Sequence, residues 1–298
     1  IQDLPVDPAA QVKEEQKTTL REYCNNDLQN TIDLYNSLKG QCELRDAMSA
    51  QYGVDLRSKS DAQMAEAIIK CELEKATGVA IGKPGVTARH AFRYTPPVWM
   101  RGHLPLMLEG LLIEIITEEF GVSEAGVVVL PKTLASRKIQ IGDGVYRLGV
   151  GGLHSSETTR AILSDEKYGL WDIDVASYYP SIILNQGLYP PHLGPTFVTL
   201  YRSLVERRLA AKKAGRKIEA ESLKIVSNST YGKMGSPYSS LYHPQGVVQV
   251  TVTGQLALLM LIEALDFDGF ETVSSNTDGL TVRASRDRHL ELCTLVGQ

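Results

Sequence analysis

The stretch Trp171-Asp172-Ile173-Asp174-Val175-Ala176-Ser177-Tyr178-Tyr179-Pro180-Ser181-Ile182-Ile183 decides how the chain is read. Side chains on a strand alternate with period two, so Ile173 and Val175 share one face and Asp172 and Asp174 the other. A strand that carries an acid and then breaks into Ser-Tyr-Tyr-Pro-Ser is expected to hold an aromatic ring beside a carboxylate. Pro180 cannot donate to a ladder and disfavours helical geometry in the residue before it, so Tyr179 is expected outside a helix. A single acid on an edge strand would be ordinary surface structure. The pattern downstream raises this one above that.

After the loop at Pro190-Pro191 and Gly194-Pro195, periodicity predicts a helix from about Thr199 to Lys213, a turn at Ala214-Gly215 and a second helix from near Ile218. Between positions 202 and 217 stand Arg202, Arg207, Arg208, Lys212, Lys213, Arg216 and Lys217, against Glu206 alone. Such a run is ordinarily a solvated helix face unless a site lies nearby. Arg208 and Lys212 are one turn apart and present two cations along one face. On the second helix Lys224, Asn228 and Tyr231 share a face, and Gly232 permits close approach of another chain. Gly246 to Leu265 is β-branched at first, then helical. Phe270 to Val282 reads as a hairpin turning at Asn276-Thr277-Asp278-Gly279, since Asn and Asp-Gly suit positive φ.

Three segments in this order resemble the family-B DNA polymerases. Asp174 to Ile182 matches D-x-x-S-x-Y-P-S-I, and Lys224 to Gly232 matches K-x-x-x-N-S-x-Y-G. Ser274 to Gly279 stands where the family has Y-x-D-T-D-S, with Thr277 and Asp278 kept, and Ser274, Asn276 and Gly279 replacing the other three. The resemblance implies an α+β fold: a palm of antiparallel sheet with packed helices, a helical-hairpin fingers subdomain, and before them the tail of an exonuclease-like domain. It divides the chain into residues 1–40 (exonuclease tail), 41–145 (connecting, partly helical), 146–198 and 236–298 (palm) and 199–235 (fingers).

The implied activity is template-directed DNA synthesis, the transfer of nucleotides from deoxynucleoside triphosphates to a primer 3′-OH. Two Mg2+ ions would serve, with Mn2+ able to substitute, held by Asp174, Asp278 and the carbonyl of Val175. Ser177, Tyr178, Tyr179, Arg208, Lys212, Lys224, Asn228 and Tyr231 would meet the nucleotide, with Lys224 also counted as catalytic. Tyr179 is the ring against which a ribose 2′-OH would clash, and Asp172 is a candidate supporting acid. Gly151, Gly152, Tyr231, Gly232 and Asn276 would lie along the DNA. The two glycines belong to Tyr146-Arg-Leu-Gly-Val-Gly-Gly-Leu-His154, placed where the family has a template-contacting loop. The short distance from the first motif to the hairpin leaves no room for the insertion of protein-primed members. The expected relatives are compact bacteriophage- or plasmid-type replicases, acting in the host cytoplasm with replication accessory proteins. The alternative is a relative that lost activity with the acid at position 276 and serves as a nucleic-acid-binding module. A nuclease or ligand-binding domain sharing only the turns would have no cationic hairpin between the two acids.

Upstream, residues 1–17 read as an extended lead-in and Thr18 to Lys39 as a helix bearing Tyr23 and Asp27 four apart. With the family granted, that pair resembles the third motif of a proofreading exonuclease; no D-x-E precedes it, so proofreading by this chain alone is not expected. Gln41 to Lys70 reads as helical with a break at Tyr52-Gly53, Leu104 to Phe120 as a helix, and Gly126 to Pro131 as a buried strand. His90 and His103 are expected to be structural or surface residues. Ile1 and the unfinished helix before Gln298 suggest a piece of a longer chain.

Net charge is −4 and the isoelectric point about 5.9, so bulk charge does not announce nucleic acid; local clustering does. Composition is 43% hydrophobic, enough for a core. Cys24, Cys42, Cys71 and Cys293 form no C-x-x-C pair and suit a reducing compartment. The most apolar stretch, Leu256 to Leu265, is short for a bilayer, so no membrane is expected.

Overall fold

Polar sequence with few buried positions makes one long helix at the start. Helix α1 (Lys17–Tyr52) runs 36 residues and buries only Met48 and Tyr52. It ends at Gly53, whose φ of 72° closes the last turn with its N–H on Ser49. The boundary expected at residue 40 falls inside α1: Gly40 costs about 1 kcal/mol there relative to alanine, too little to stop a helix. The computed structural model describes residues 3–85, 91–102, 104–156 and 161–297; His90 and His103 lie outside them. Two compact units divide the chain, Ile1–Lys59 and Ser60–Gln298. The first holds α1 with Tyr23 and Asp27.

The second unit opens with α2 (Asp61–Thr77), started by a reciprocal cap between Ser60 and Gln63. Then come α3 (Leu106–Thr117), shorter at both ends than periodicity suggests, and a ribbon of β1 (Gly121–Val122) and β2 (Val128–Val129). The buried strand expected over 126–131 is only this two-residue piece, with Val127 and Val129 half exposed. Next are α4 (Lys132–Ser136), β3 (Ile139–Ile141), β4 (Gly144–Arg147), β5 (Leu153–Ser155), β6 (Tyr168–Asp174), α5 (Tyr178–Gln186), α6 (Thr196–Lys213) and α7 (Lys217–Met234). The chain continues through α8 (Pro244–Phe267), β7 (Glu271–Thr277), β8 (Gly279–Ser285) and α9 (His289–Val296).

Six strands form one antiparallel sheet in the order β3-β4-β5-β7-β8-β6. Seven consecutive pairs join β6 to β8, from Tyr168↔Ser285 to Asp174↔Gly279. Leu280, Val282 and Ala284 alternate inward on β8, and α8 backs the sheet against β7, β5 and β3. Helix α8 is long and apolar enough to cross a membrane, contrary to the length read from Leu256–Leu265, yet 67% of its apolar window is buried inside the protein. Its start, Val247 to Val252, has β-branched propensity, but core burial on all sides decides for helix.

The helical side closes around α7, which packs on α2, α6 and α8. Tyr201 of α6 is fully buried and donates to the Ser227 carbonyl at 2.6 Å, tying the hairpin arms together. Lys233 meets Glu66 at 2.9 Å, and Ser240 donates to the same carboxylate through its N–H and its hydroxyl. Burial works to raise Glu66, but these donors outweigh it and hold the carboxyl below its ordinary value.

His243 sits at the N-terminus of α8 with its ring against Gly246. Burial, then the neighbouring His192, lowers its pKa to about 4. In the unfolded chain it takes a proton below about pH 6.5. Stability present above that value is therefore expected to fall, by about 3 kcal/mol in all, as pH drops from 6.5 to 4. Glu66 adds a further loss at lower pH, as protonation removes its pairing. Urea midpoints against pH check this: His243→Asn should flatten the curve between pH 6.5 and 4, and an unchanged slope would refute it.

Candidate active site

Strand β6 delivers Asp172 and Asp174 to one exposed face, as alternation requires. The hydroxyl of Thr281 donates to Asp172 at 2.8 Å, which holds that acid to β8. Asp174 is left at the strand's end beside Gly279, and a Cβ at Gly279 would clash with its Oδ1. Glycine in place of the family's serine thus gives the carboxylate its room. Val175 donates its N–H to the Asp278 carbonyl at 3.0 Å. The β6 end and the β7–β8 turn are therefore stitched together, with Asp174 and Asp278 both exposed.

The turn is strained. Asn276 pairs with Gly279, leaving Thr277 and Asp278 as a two-residue loop. Positive φ was expected on Asn276, Asp278 or Gly279; it falls on Thr277, at 60°. Two-residue hairpins need positive φ at their first central position to match strand twist, and pairing puts threonine there. Ser177, at φ 53° and ψ 44°, is the other non-glycine residue with positive φ among those described. Each such residue costs roughly 1–3 kcal/mol, and both lie within three residues of an acid. Asn276 is exposed, and its Oδ1 accepts from the Thr277 hydroxyl at 3.2 Å.

Ser177 turns the chain straight into α5, so Tyr179 is helical and the expected break at Pro180 does not occur. Proline is tolerated there because first-turn N–H groups have no intrahelical partner to lose. The turn sends the tyrosines in different directions. Tyr178 is buried, with its hydroxyl on the Gly254 carbonyl, so its ring belongs to the core and not to the expected nucleotide surface. Tyr179 lies over Tyr231 of α7, ring centroids 4.2 Å apart and tilted 37°. Burial first, then Tyr231 and Asp278, raise its phenol above the ordinary value, so it remains a neutral donor.

Arg208 of α6 donates to Ser177 Oγ at 2.9 Å, which brings one hairpin cation to the turn after Asp174. Lys212 stands exposed one turn farther along. From Tyr231 the same face of α7 carries Asn228 and then Lys224, about 10 Å away at 1.5 Å per residue. Lys224 is half exposed and 3.9 Å from Glu221. Among the described residues, nothing beyond its own helix lies within 4 Å of a Cβ built on Gly232. On α1, Tyr23 bonds Asp27, which holds the tyrosine above its ordinary value.

The sequence offered no sign that the glycine segment would pack so closely. A Cβ on Gly152 would lie 2.8 Å from Thr277 Cα, a backbone atom, whereas one on Gly151 meets nothing within 4 Å. Gly152→Ala is expected to cost about 1–3 kcal/mol and to displace the turn bearing Asp278, while Gly151→Ala stays within about 0.5 kcal/mol. Thermal melts of both variants test this; equal melting temperatures would refute the close approach. Thr251 and Gln255 of α8 also reach this loop, and their only signal is two polar residues one turn apart on an apolar helix.

Among the described residues no group of three His, Cys, Asp or Glu side chains has metal-holding geometry. The donor set at the turn is two exposed carboxylates with amide and carbonyl oxygens beside them. That chemistry fits a hard divalent cation completed by substrate oxygens and water.

No protein-family model and no curated protein matches the sequence. Among solved structures the fold is similar to the family B DNA polymerase of the hyperthermophilic archaeon Pyrobaculum calidifontis, with a TM-score of 0.50 and 16% identity. The likeness covers 95% of this chain and 34% of that one, so the chain spans about a third of its structural neighbour. The fold is accordingly of the family-B polymerase kind, a mixed arrangement of helices and antiparallel sheet.

Proposed function

We propose that this chain forms the palm and fingers of a DNA-directed DNA polymerase, with the six-stranded sheet as palm and α6–α7 as fingers. The observation that carries the reading is the meeting of Asp174, Asp278, the Tyr179–Tyr231 pair and the cationic hairpin at one end of the sheet. The fold neighbour, a DNA polymerase, supports DNA and nucleotide as partners.

Asp174 and Asp278, with the Val175 carbonyl, would hold Mg2+. When bound, the metal neutralises charge on the attacking and leaving oxygens of an in-line displacement. The chain's own residues do the rest. Arg208, Lys212 and Lys224, with Asn228, meet the triphosphate along the hairpin, where negative charge grows on the leaving group. Tyr179 presents its ring edge to the sugar and excludes a 2′-OH by contact. Tyr231 supports the new base pair, and because templating is done by base pairing the protein contacts backbone and shape.

Primer extension by the full-length protein, with magnesium and all four deoxynucleotides, tests this; template-complementary extension is expected. Asn276, where the family has an acid, favours a second reading in which the chain binds DNA without extending it. A mobility shift with no extension would select that one.

A further inference from the structure

Three consecutive carbonyls of the glycine loop each lie against a different polar side chain, the outer two accepting short hydrogen bonds. Gln255 Nε2 donates to the Gly149 carbonyl at 2.5 Å, Thr251 Oγ1 lies 3.4 Å from the Val150 carbonyl while its one proton also faces the nearer Val247 carbonyl at 2.8 Å, and the Tyr179 hydroxyl donates to Gly151 at 2.5 Å. The first two donors are one turn apart on α8; the third is the ring that faces the proposed sugar site. Thr251 also bonds the hydroxyl of Tyr231, the ring packed at a tilt against Tyr179. Gln255 is 2% exposed, and its Oε1 finds no hydrogen-bond partner among the described residues. A buried amide left half satisfied is costly, so its one bond has to matter more than the packing an apolar residue would give.

Resting on the polymerase reading, we infer that Gln255 and Thr251 are positioning residues: through the Gly149–Gly151 carbonyls they fix the Tyr179 ring, and so set how strictly the site rejects ribonucleotides. Neither side chain needs to touch nucleotide. The loop is a rigid link because Gly152 is wedged against Thr277 at its far end. A ring tethered only by its Cα–Cβ bond could swing from an added hydroxyl, and one anchored at its para oxygen cannot.

The test uses the full-length protein with Gln255→Met, which keeps volume and removes the donor, Thr251→Val, which keeps shape, and Tyr179→Phe. The ratio of deoxy- to ribonucleotide kcat/KM is expected to fall about tenfold in Gln255→Met and in Tyr179→Phe, and by less than about twofold more in the double variant, since both cut one chain of contacts. A merely structural role would lower both efficiencies together and leave the ratio alone. In parallel, the 3-fluorotyrosine resonance of Tyr179, identified by its loss in Tyr179→Phe, should move in Gln255→Met and in Thr251→Val. An unmoved resonance, an unchanged ratio or effects that multiply in the double variant would overturn the inference. A resonance that moves in the variants while the wild type cannot extend a primer would instead sink the polymerase reading and leave the clamp standing.

Discussion

Asp174→Ala is expected to lower single-turnover nucleotide addition by at least about a thousandfold, some 4 kcal/mol of transition-state stabilisation, with duplex affinity nearly unchanged. Asp278→Ala should match it. The two carboxylates arrive on separate segments, the end of β6 and the β7–β8 turn, joined by the Val175–Asp278 backbone bond. Neither has a role in the core, since both are exposed. Removing one should therefore leave the turn standing and take away half of the anionic donor set. DNA affinity that comes mostly from phosphate contacts to cations is expected to be insensitive to these acids. Filter binding and rapid-quench kinetics on the same preparations separate the two effects. Turnover near that of the wild type in either variant would end the assignment.

The second large effect is on selectivity. Tyr179→Ala should admit ribonucleotides, lowering the preference for deoxynucleotides by about a hundredfold, roughly 2.7 kcal/mol, with deoxynucleotide use mostly retained. The ring is held between Tyr231 and the Gly151 carbonyl, so it cannot yield to an added hydroxyl. Alanine leaves the space open while α5 keeps its first turn. Steady-state kcat/KM for matched deoxy- and ribonucleotides measures it, and an unmoved ratio would make Tyr179 a packing residue only.

The elements that were legible in the sequence are those whose cues are local. The hairpin of α6 and α7, its turn at Ala214-Gly215, the strand bearing Asp172 and Asp174, and the break at Tyr52-Gly53 all follow from periodicity or from a glycine where φ must be positive. What was not legible depends on contacts between distant segments. The preference of a pre-proline residue for extended backbone was overridden at Tyr179, where left-handed Ser177 turns the chain directly into α5. Positive φ landed on Thr277 because pairing of Asn276 with Gly279, not residue preference, places the turn. Val127 and Val129 looked buried only because apolar runs carry no record of whether another element covers them. The reach of Thr251 and Gln255 to two carbonyls of the glycine loop spans about a hundred residues of sequence, and no window reaches that far.

The most direct measurement is single-turnover incorporation by wild type, Asn276→Asp and Asn276→Ala over a range of magnesium and manganese concentrations. Two carboxylates meet the minimum for a magnesium site, and the Asn276 amide already serves as acceptor within its own turn. Wild type is predicted to extend the primer, Asn276→Ala to lose about tenfold, near 1.4 kcal/mol, and Asn276→Asp to remain active with a shifted metal preference. An inert wild type, with extension restored only by Asn276→Asp, would contradict the account and make the chain a binding module on a polymerase fold.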